Sequence, residues 1–222
     1  FFFFPGEANK QQVTVTPVLI SFPTQDGGLI YANLYGKGER GVVLAHGGRF
    51  NKESWEKQAQ VLVKAGFRVL ALDFRGYGQS KGPGDKDPLG APLHLDVLAA
   101  VRYLRQTGAK TVSIVGGSMG GGAGVDAVIE AAPGEIARLV TLGGLTWNSP
   151  VEKLKCPLLV IFTRNDTSGD GPRLPKILVD YKRVPKPKKL IILEGSAHAQ
   201  FMFDTDQGER VMREILRFLS AP

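Results

Sequence analysis

The sequence predicts an α/β domain with a mostly parallel central sheet of about eight strands and helices on both faces. Two observations carry that expectation. Apolar runs of strand length alternate with longer segments of helical periodicity through most of the chain. Ahead of them, two strand-like runs are separated by Asp26-Gly27-Gly28, a hairpin turn signal.

The elements follow in order. Residues 13–22 and 29–35 form the early hairpin. Strands are expected at 42–45, 67–72, 111–115, 138–142, 158–162 and 190–193, with helices at 53–65, 94–106, 119–131 and 173–182. The last stretch, 206–219, places Val211, Ile215, Phe218 and Leu219 at helical spacing. Only residues 143–157 separate the strands at 138–142 and 158–162, too few for a multi-helix lid. The segment 81–92, rich in Gly, Pro and Asp, is also short, so the expected site is open, with no cap domain.

Bulk properties bound the reading. The 222 residues suit one domain with a full core, and 43% hydrophobic content is that of a globular chain. The net charge of +7 is mostly scattered. Its densest part, Tyr181-Lys182-Arg183-Val184-Pro185-Lys186-Pro187-Lys188-Lys189, has no nucleic-acid motif beside it and reads as a solvated connection before a strand. No nucleic-acid partner is expected. No apolar run reaches the ~18 residues of a membrane span. Cys156 is the single cysteine, so no intramolecular disulfide can form, and it reads as a packed thiol. Phe1 to Phe4, then Pro5-Gly6 and a polar stretch, read as a disordered or processed tail over residues 1–12, ahead of a single domain at 13–222. The compartment stays open between cytoplasm and export, as does oligomeric state.

Residues 116–120 read Gly-Gly-Ser-Met-Gly, after the apolar run Thr111-Val112-Ser113-Ile114-Val115 and before a small-residue helix. A serine at a sharp strand-to-helix turn is held in a strained conformation, its hydroxyl at the positive end of the helix. A phosphate-binding loop is disfavoured: no Lys-Ser/Thr follows Gly120, and the next strand ends in Gly143-Gly144 with no acid. Ser118 is therefore the expected nucleophile. A serine hydroxyl needs a base and an orienting acid. Of His46, His94 and His198, the last follows the run Leu190-Ile191-Ile192-Leu193 in a late loop and is the expected base. Asp166 ends the run that starts at Pro157 and is the expected acid, with Asp170 as the substitute. Ser, Asp, His is the chain order this arrangement uses.

The strand Val42-Val43-Leu44-Ala45 runs into His46-Gly47-Gly48. Glycines allow a close main-chain approach, so the N–H groups of Gly48 and Met119 are assigned to an oxyanion hole. His46 reads as a hydrogen-bonded structural histidine, and His94 as structural or exposed. Arg49, Phe50, Trp147 and Phe201 are candidates for the substrate pocket.

With these motifs and Leu70-Ala71-Leu72-Asp73-Phe74-Arg75-Gly76-Tyr77-Gly78-Gln79-Ser80, the chain resembles the α/β-hydrolase superfamily over roughly Val13 to Leu219. The stretch His46-Gly47-Gly48-Arg49-Phe50, with Trp55 soon after, is similar to small lidless hydrolases related to CCG1-interacting factor B. The resemblance implies an α/β-hydrolase fold, a structural role for Asp73 and Arg75, and hydrolysis of small acyl esters through an acyl-enzyme, with no metal or organic cofactor. Thioesterase, amidase or peptidase, lactonase and acyltransferase reactions use the same residues. A carboxylate at position 118 would be needed for dehalogenase or epoxide hydrolase chemistry. A non-catalytic interaction protein of the same fold is the alternative from another class, and the intact set of site residues argues against it.

Overall fold

A computed structural model describes residues 14–146 and 148–222. The strands are β1 (Val18–Pro23), β2 (Leu29–Tyr35), β3 (Arg40–Ala45), β4 (Phe67–Leu72), β5 (Thr111–Gly117), β6 (Leu139–Leu142), β7 (Leu158–Thr163), the short β8 (Thr167–Ser168) and β9 (Gly171–Pro172), and β10 (Lys188–Leu193). The α-helices are α1 (Glu56–Lys64), α2 (Leu93–Gln106), α3 (Met119–Glu130), α4 (Leu174–Arg183) and α5 (Gly208–Leu219). Eight strands form one sheet in the order β1-β2-β4-β3-β5-β6-β7-β10. Strand β2 is antiparallel to β1 and β4, and the remaining pairs are parallel.

Both faces of this sheet are covered, which explains why its inner strands are apolar throughout. In β3, Val43 and Ala45 face a core shared with Leu98, Val101 and Leu104 of α2 and with Val125 and Val128 of α3. Val42 and Leu44 face the opposite core, with Leu62 of α1 and Val211, Ile215 and Leu219 of α5. Helix α5 shows the spacing that makes this possible: its buried residues recur every three to four positions, one stripe toward the sheet.

Two boundaries differ from the sequence expectation. The first strand starts at Val18 rather than residue 13, because the chain before it is held elsewhere. The Gln60 side chain accepts the Val15 N–H at 2.9 Å and donates to the Val15 carbonyl at 2.8 Å. The first crossover begins as a 3₁₀ turn, Lys52–Trp55, capped by the Asn51 side chain, and only then becomes α1. The expected tail at residues 1–12 lies outside the described residues.

The sheet order positions the site. From β3 the chain winds to β4 on one side, then crosses over to β5 on the other. Loops leaving the carboxyl ends of β3 and β5 thus part in opposite directions and leave a crevice between them, the usual ligand position in such sheets. The β3 loop carries Gly47 and Gly48; the β5 loop carries Ser118. No cap covers them: between β6 and β7 the described residues hold a single 3₁₀ turn, Val151–Lys153.

Candidate active site

Ser118 has φ 47° and ψ −108°, a conformation that costs a non-glycine residue about 1–3 kcal/mol. The turn is forced by what surrounds it. The Ser118 N–H donates to the Leu142 carbonyl at 2.8 Å, and helix α3 starts at the next residue. Gly120 lies so close to the Ala45 backbone that a Cβ there would collide with it, so β3 and α3 meet only because the position is glycine. The half-buried hydroxyl is left at the mouth of the crevice.

The loop carrying His198 is attached to the loop carrying Asp166 at several points. Arg164 and Asn165 donate their N–H groups to Leu193 and Gly195 at 2.8 and 2.9 Å, and the Thr163 hydroxyl donates to Ala197 at 2.9 Å. These bonds place His198 above the end of β7. Its Nδ1 lies 2.6 Å from Asp166 Oδ2, and its Nε2 lies 2.8 Å from Ser118 Oγ. Asp166 is 1% exposed and His198 27%. Ala199, with φ 52°, is the other positive-φ non-glycine among the described residues, so both strained positions flank this hydrogen-bonded chain. Gly143 leaves room for it: a Cβ there would sit 2.5 Å from Ala199 N and 3.1 Å from His198 Nδ1. Asp170 is exposed on the β8–β9 turn, its N–H bonded to Ser168 Oγ, and makes no hydrogen bond or ion pair with His198.

The N–H groups of Gly48 and Met119 donate no hydrogen bond to the protein among the described residues. Two side chains that the sequence did not point to hold this region. The Tyr77 hydroxyl donates to the Gly48 carbonyl at 2.9 Å and lies 3.8 Å from Met119 Sδ. Burial raises the Tyr77 pKa, which keeps the phenol a donor at neutral pH. Gln200, buried two residues past His198, accepts the Gly47 N–H and donates to Ser54 Oγ.

His46 is fully buried, and burial lowers its pKa. Its Nε2 accepts the Phe74 N–H at 3.2 Å, so the neutral ring carries its proton on Nδ1, which donates to the Gly47 carbonyl at 2.8 Å. That is a structural histidine. His94, at the start of α2, pairs with Glu130 at 3.0 Å. Asp73 is buried and accepts from the Lys52 N–H and ammonium, while Arg75 is enclosed by Asp96 and Asp26. Burial pushes the Cys156 thiol up to about 12, which suits a packed group and not a thiolate nucleophile. In the basic run, Lys189 pairs with Glu214 and Arg183 with Glu152.

Two clefts meet at Ser118. The first, about 320 Å³, is lined by Gly48, Arg49, Phe50, Arg173, His198 and Phe201 among others. The Phe50 and Phe201 rings lie 4.8 Å apart along its wall. The second, about 380 Å³, runs past Gly143, Leu145 and Phe162 to Ser168, Asp170 and Lys176. Arg49, Phe50 and Phe201, the candidates for a substrate pocket, line the first of these clefts, and Trp147 lies outside the described residues. Arg173 and the β8–β9 turn are additions. The turn is too short for any periodicity signal, with two residues in each strand. No group of three or more His, Cys, Asp or Glu that could hold a metal ion occurs among the described residues. No helix among them is long and apolar enough to cross a membrane.

Known proteins share this fold. The Pyrococcus furiosus esterase Pf2001 has the same fold at TM-score 0.76, covering 98% of this chain and 96% of its own, with 20% identity. A CIB-like hydrolase from Thermoplasma acidophilum gives 0.73 over 92% and 98%, also at 20% identity. The non-heme haloperoxidase of Rhodococcus erythropolis is 34% identical over 123 residues, 54% of this chain; the chain spans 42% of that relative's length. Residues 41–167, more than half of the 222, match the family described as alpha/beta hydrolase fold, and with the sheet order above the chain belongs to that family.

Proposed function

We propose that this α/β hydrolase is a serine hydrolase of small acyl esters, carried by residues 13–222 as one domain. The reading rests on the continuous hydrogen-bonded chain Ser118 Oγ–His198 Nε2 and His198 Nδ1–Asp166 Oδ2, at 2.8 and 2.6 Å. His198 removes the hydroxyl proton as Ser118 Oγ attacks the ester carbonyl. The carbonyl π-electrons move onto oxygen, and the N–H groups of Gly48 and Met119 receive the charge. On collapse, the alcohol leaves with the proton from His198. Water then attacks the acyl-enzyme by the same route. Asp166, acceptor for Nδ1–H, holds the tautomer that leaves Nε2 free to take a proton and stabilises the imidazolium. Because Ser118 is an alcohol, the covalent intermediate is an ester, which water can cleave without a metal or organic cofactor. The name of the Pyrococcus structure, an esterase, suits the same chemistry.

The test is labelling by a fluorophosphonate probe together with hydrolysis of p-nitrophenyl butyrate. Wild-type protein is expected to label and turn over. Ser118→Ala is expected to remain folded, lose the label and lose on the order of 10⁴-fold in rate. Turnover by the folded variant near the wild-type rate would end the assignment.

A further inference from the structure

The polar lining of the first cleft has one sign of charge. Besides Ser118 and His198, its polar lining residues are Arg49, Arg173 and Thr167, and no Asp or Glu lines it. Arg49 is exposed, with no salt bridge or hydrogen bond from its side chain among the described residues. Arg173 is 40% exposed, and its ion-pair neighbour is Asp166, Nε to Oδ1 at 3.5 Å. That contact is not a hydrogen bond: the Arg173 Nε is buried and donates to nothing. Asp166 holds His198 on Oδ2, and its Oδ1 faces Arg173 without accepting a hydrogen bond from Nε. The second cleft shares Arg173 but differs in its other charges. There Lys176 is bound to Asp180 at 2.8 Å, and Asp170 supplies a negative charge.

Resting on the serine-hydrolase reading, we propose that the substrate ester carries a free carboxylate, received by Arg49 and Arg173 beside Ser118. A planar guanidinium matches a carboxylate in geometry, and the bond is charge-assisted. Arg49 directly follows Gly48, so a carboxylate held there is fixed relative to the N–H that receives the oxyanion. The adjoining Phe50–Phe201 wall displaces part of the water on one side, which strengthens the attraction. A cleft of about 320 Å³ leaves room for a short chain between the carboxylate and the scissile carbonyl, not a long one.

The experiment compares two pairs of esters that differ only in carboxylate against carboxamide. In one pair, p-nitrophenyl monoglutarate and p-nitrophenyl 4-carbamoylbutanoate, the group is on the acyl side. In the other, 3-carboxyphenyl and 3-carbamoylphenyl butyrate, it is on the alcohol side. The wild-type protein is expected to favour the carboxylate in at least one pair by roughly tenfold or more in kcat/KM. That preference should shrink in high salt. Arg49→Gln and Arg173→Gln should each reduce the preference, and the double variant should bring it to about one. The readout is the ratio within each variant, which a loss of folded enzyme does not move. A ratio of one or below in both pairs, with Ser118 labelled by the fluorophosphonate, overturns the carboxylate proposal and leaves the hydrolase reading standing. A preference that survives the double variant also overturns it. Absence of both labelling and turnover strikes the hydrolase reading instead.

Discussion

The Gln200 side-chain carbonyl accepts the Gly47 N–H at 2.8 Å, while its amide donates to Ser54 Oγ at 2.6 Å. One buried carboxamide therefore ties the His198 loop, the glycine turn and the start of the first crossover together. Replacing it by leucine leaves the Gly47 N–H without an acceptor in a dry place, at a cost of about 1–3 kcal/mol. We predict that Gln200→Leu lowers the unfolding free energy by that amount. It should also lower kcat for p-nitrophenyl butyrate at least tenfold, with KM changed less. Denaturant titration and steady-state kinetics on the same preparation check both; a variant with wild-type kcat would show that the glycine turn holds its shape alone.

Tyr77 acts on the next residue of that turn. Its hydroxyl donates to the Gly48 carbonyl, so it orients the peptide unit next to the assigned oxyanion donor. Tyr77→Phe removes one hydrogen bond, worth about 1 kcal/mol, and keeps the ring against His46. The expected outcome is a three- to tenfold lower kcat with little loss of stability, because a turn that relaxes costs the transition state more than the folded state. An effect on Tm without one on kcat would make Tyr77 a packing residue only.

The acid is the third test of the proposed site. Asp166 is buried with Oδ2 on His198, while Asp170 is exposed on the β8–β9 turn. Asp166→Asn should slow ester hydrolysis by about 10³–10⁴-fold, since an amide favours the wrong imidazole tautomer. Asp170→Asn should cost far less. The two rates, measured side by side, decide it; the reverse order would mean that the turn rearranges when substrate binds.

Much of this arrangement is legible in the sequence because it sits at strand ends. A parallel strand fixes where its carboxyl end points, so Ser118, Asp166 and His198 could be assigned from runs of apolar residues and the turns after them. The crevice follows from alternation of strands and helices. Gln200, Tyr77 and Arg173 were not legible for a shared reason. Gln200 and Tyr77 meet partners far along the chain, 153 positions away for Gln200 and Gly47 and 29 for Tyr77 and Gly48, while Arg173 turns back on Asp166 through the irregular β8–β9 turn, so each contact is set by how the chain crosses itself in space. No local pattern records such a crossing. The start of β1 was misplaced in the same way, since the Gln60 side chain decides where the residues before Val18 go.

Away from the site, Arg75 gives a pH test. Its buried guanidinium donates to Asp26 at 2.6 and 3.0 Å and to Asp96 at 2.6 and 2.9 Å. The hydrogen bond from Arg75 holds Asp26 down to about 2, below the ordinary 3.8, while burial pushes Asp96 the other way. A carboxylate with a depressed pKa in the fold stabilises it fully above 3.8, and that contribution is lost as pH falls toward 2. Asp26→Asn lacks the contribution at every pH. The gap in urea midpoint between wild type and variant should therefore be widest near neutrality and close between about pH 4 and pH 2. A gap that stays constant across that range would mean that the loss is one of packing and not of charge.

The last prediction concerns acyl length and follows from the two clefts. Each methylene that leaves water for a dry pocket contributes about 0.8 kcal/mol, or roughly fourfold in kcat/KM. That gain requires walls on all sides. At about 320 and 380 Å³, both clefts are small and open to solvent, and no cap among the described residues closes over them. Phe201, 42% exposed, is half of the Phe50–Phe201 wall, so even the apolar side of the first cleft is partly wet. The first carbons of an acyl chain can lie against these rings, whereas later ones project into water and gain nothing. For neutral p-nitrophenyl esters, kcat/KM should rise from acetyl to butyryl and be flat or falling beyond about six carbons. Activity should rise smoothly through the solubility limit of the ester, since no lid has to open at an interface. A steady climb to decanoyl or palmitoyl esters would require an enclosed channel, and the Phe50–Phe201 pair and the Gly143–Thr146 side of the second cleft are where substitution to Trp should then shorten the preferred chain.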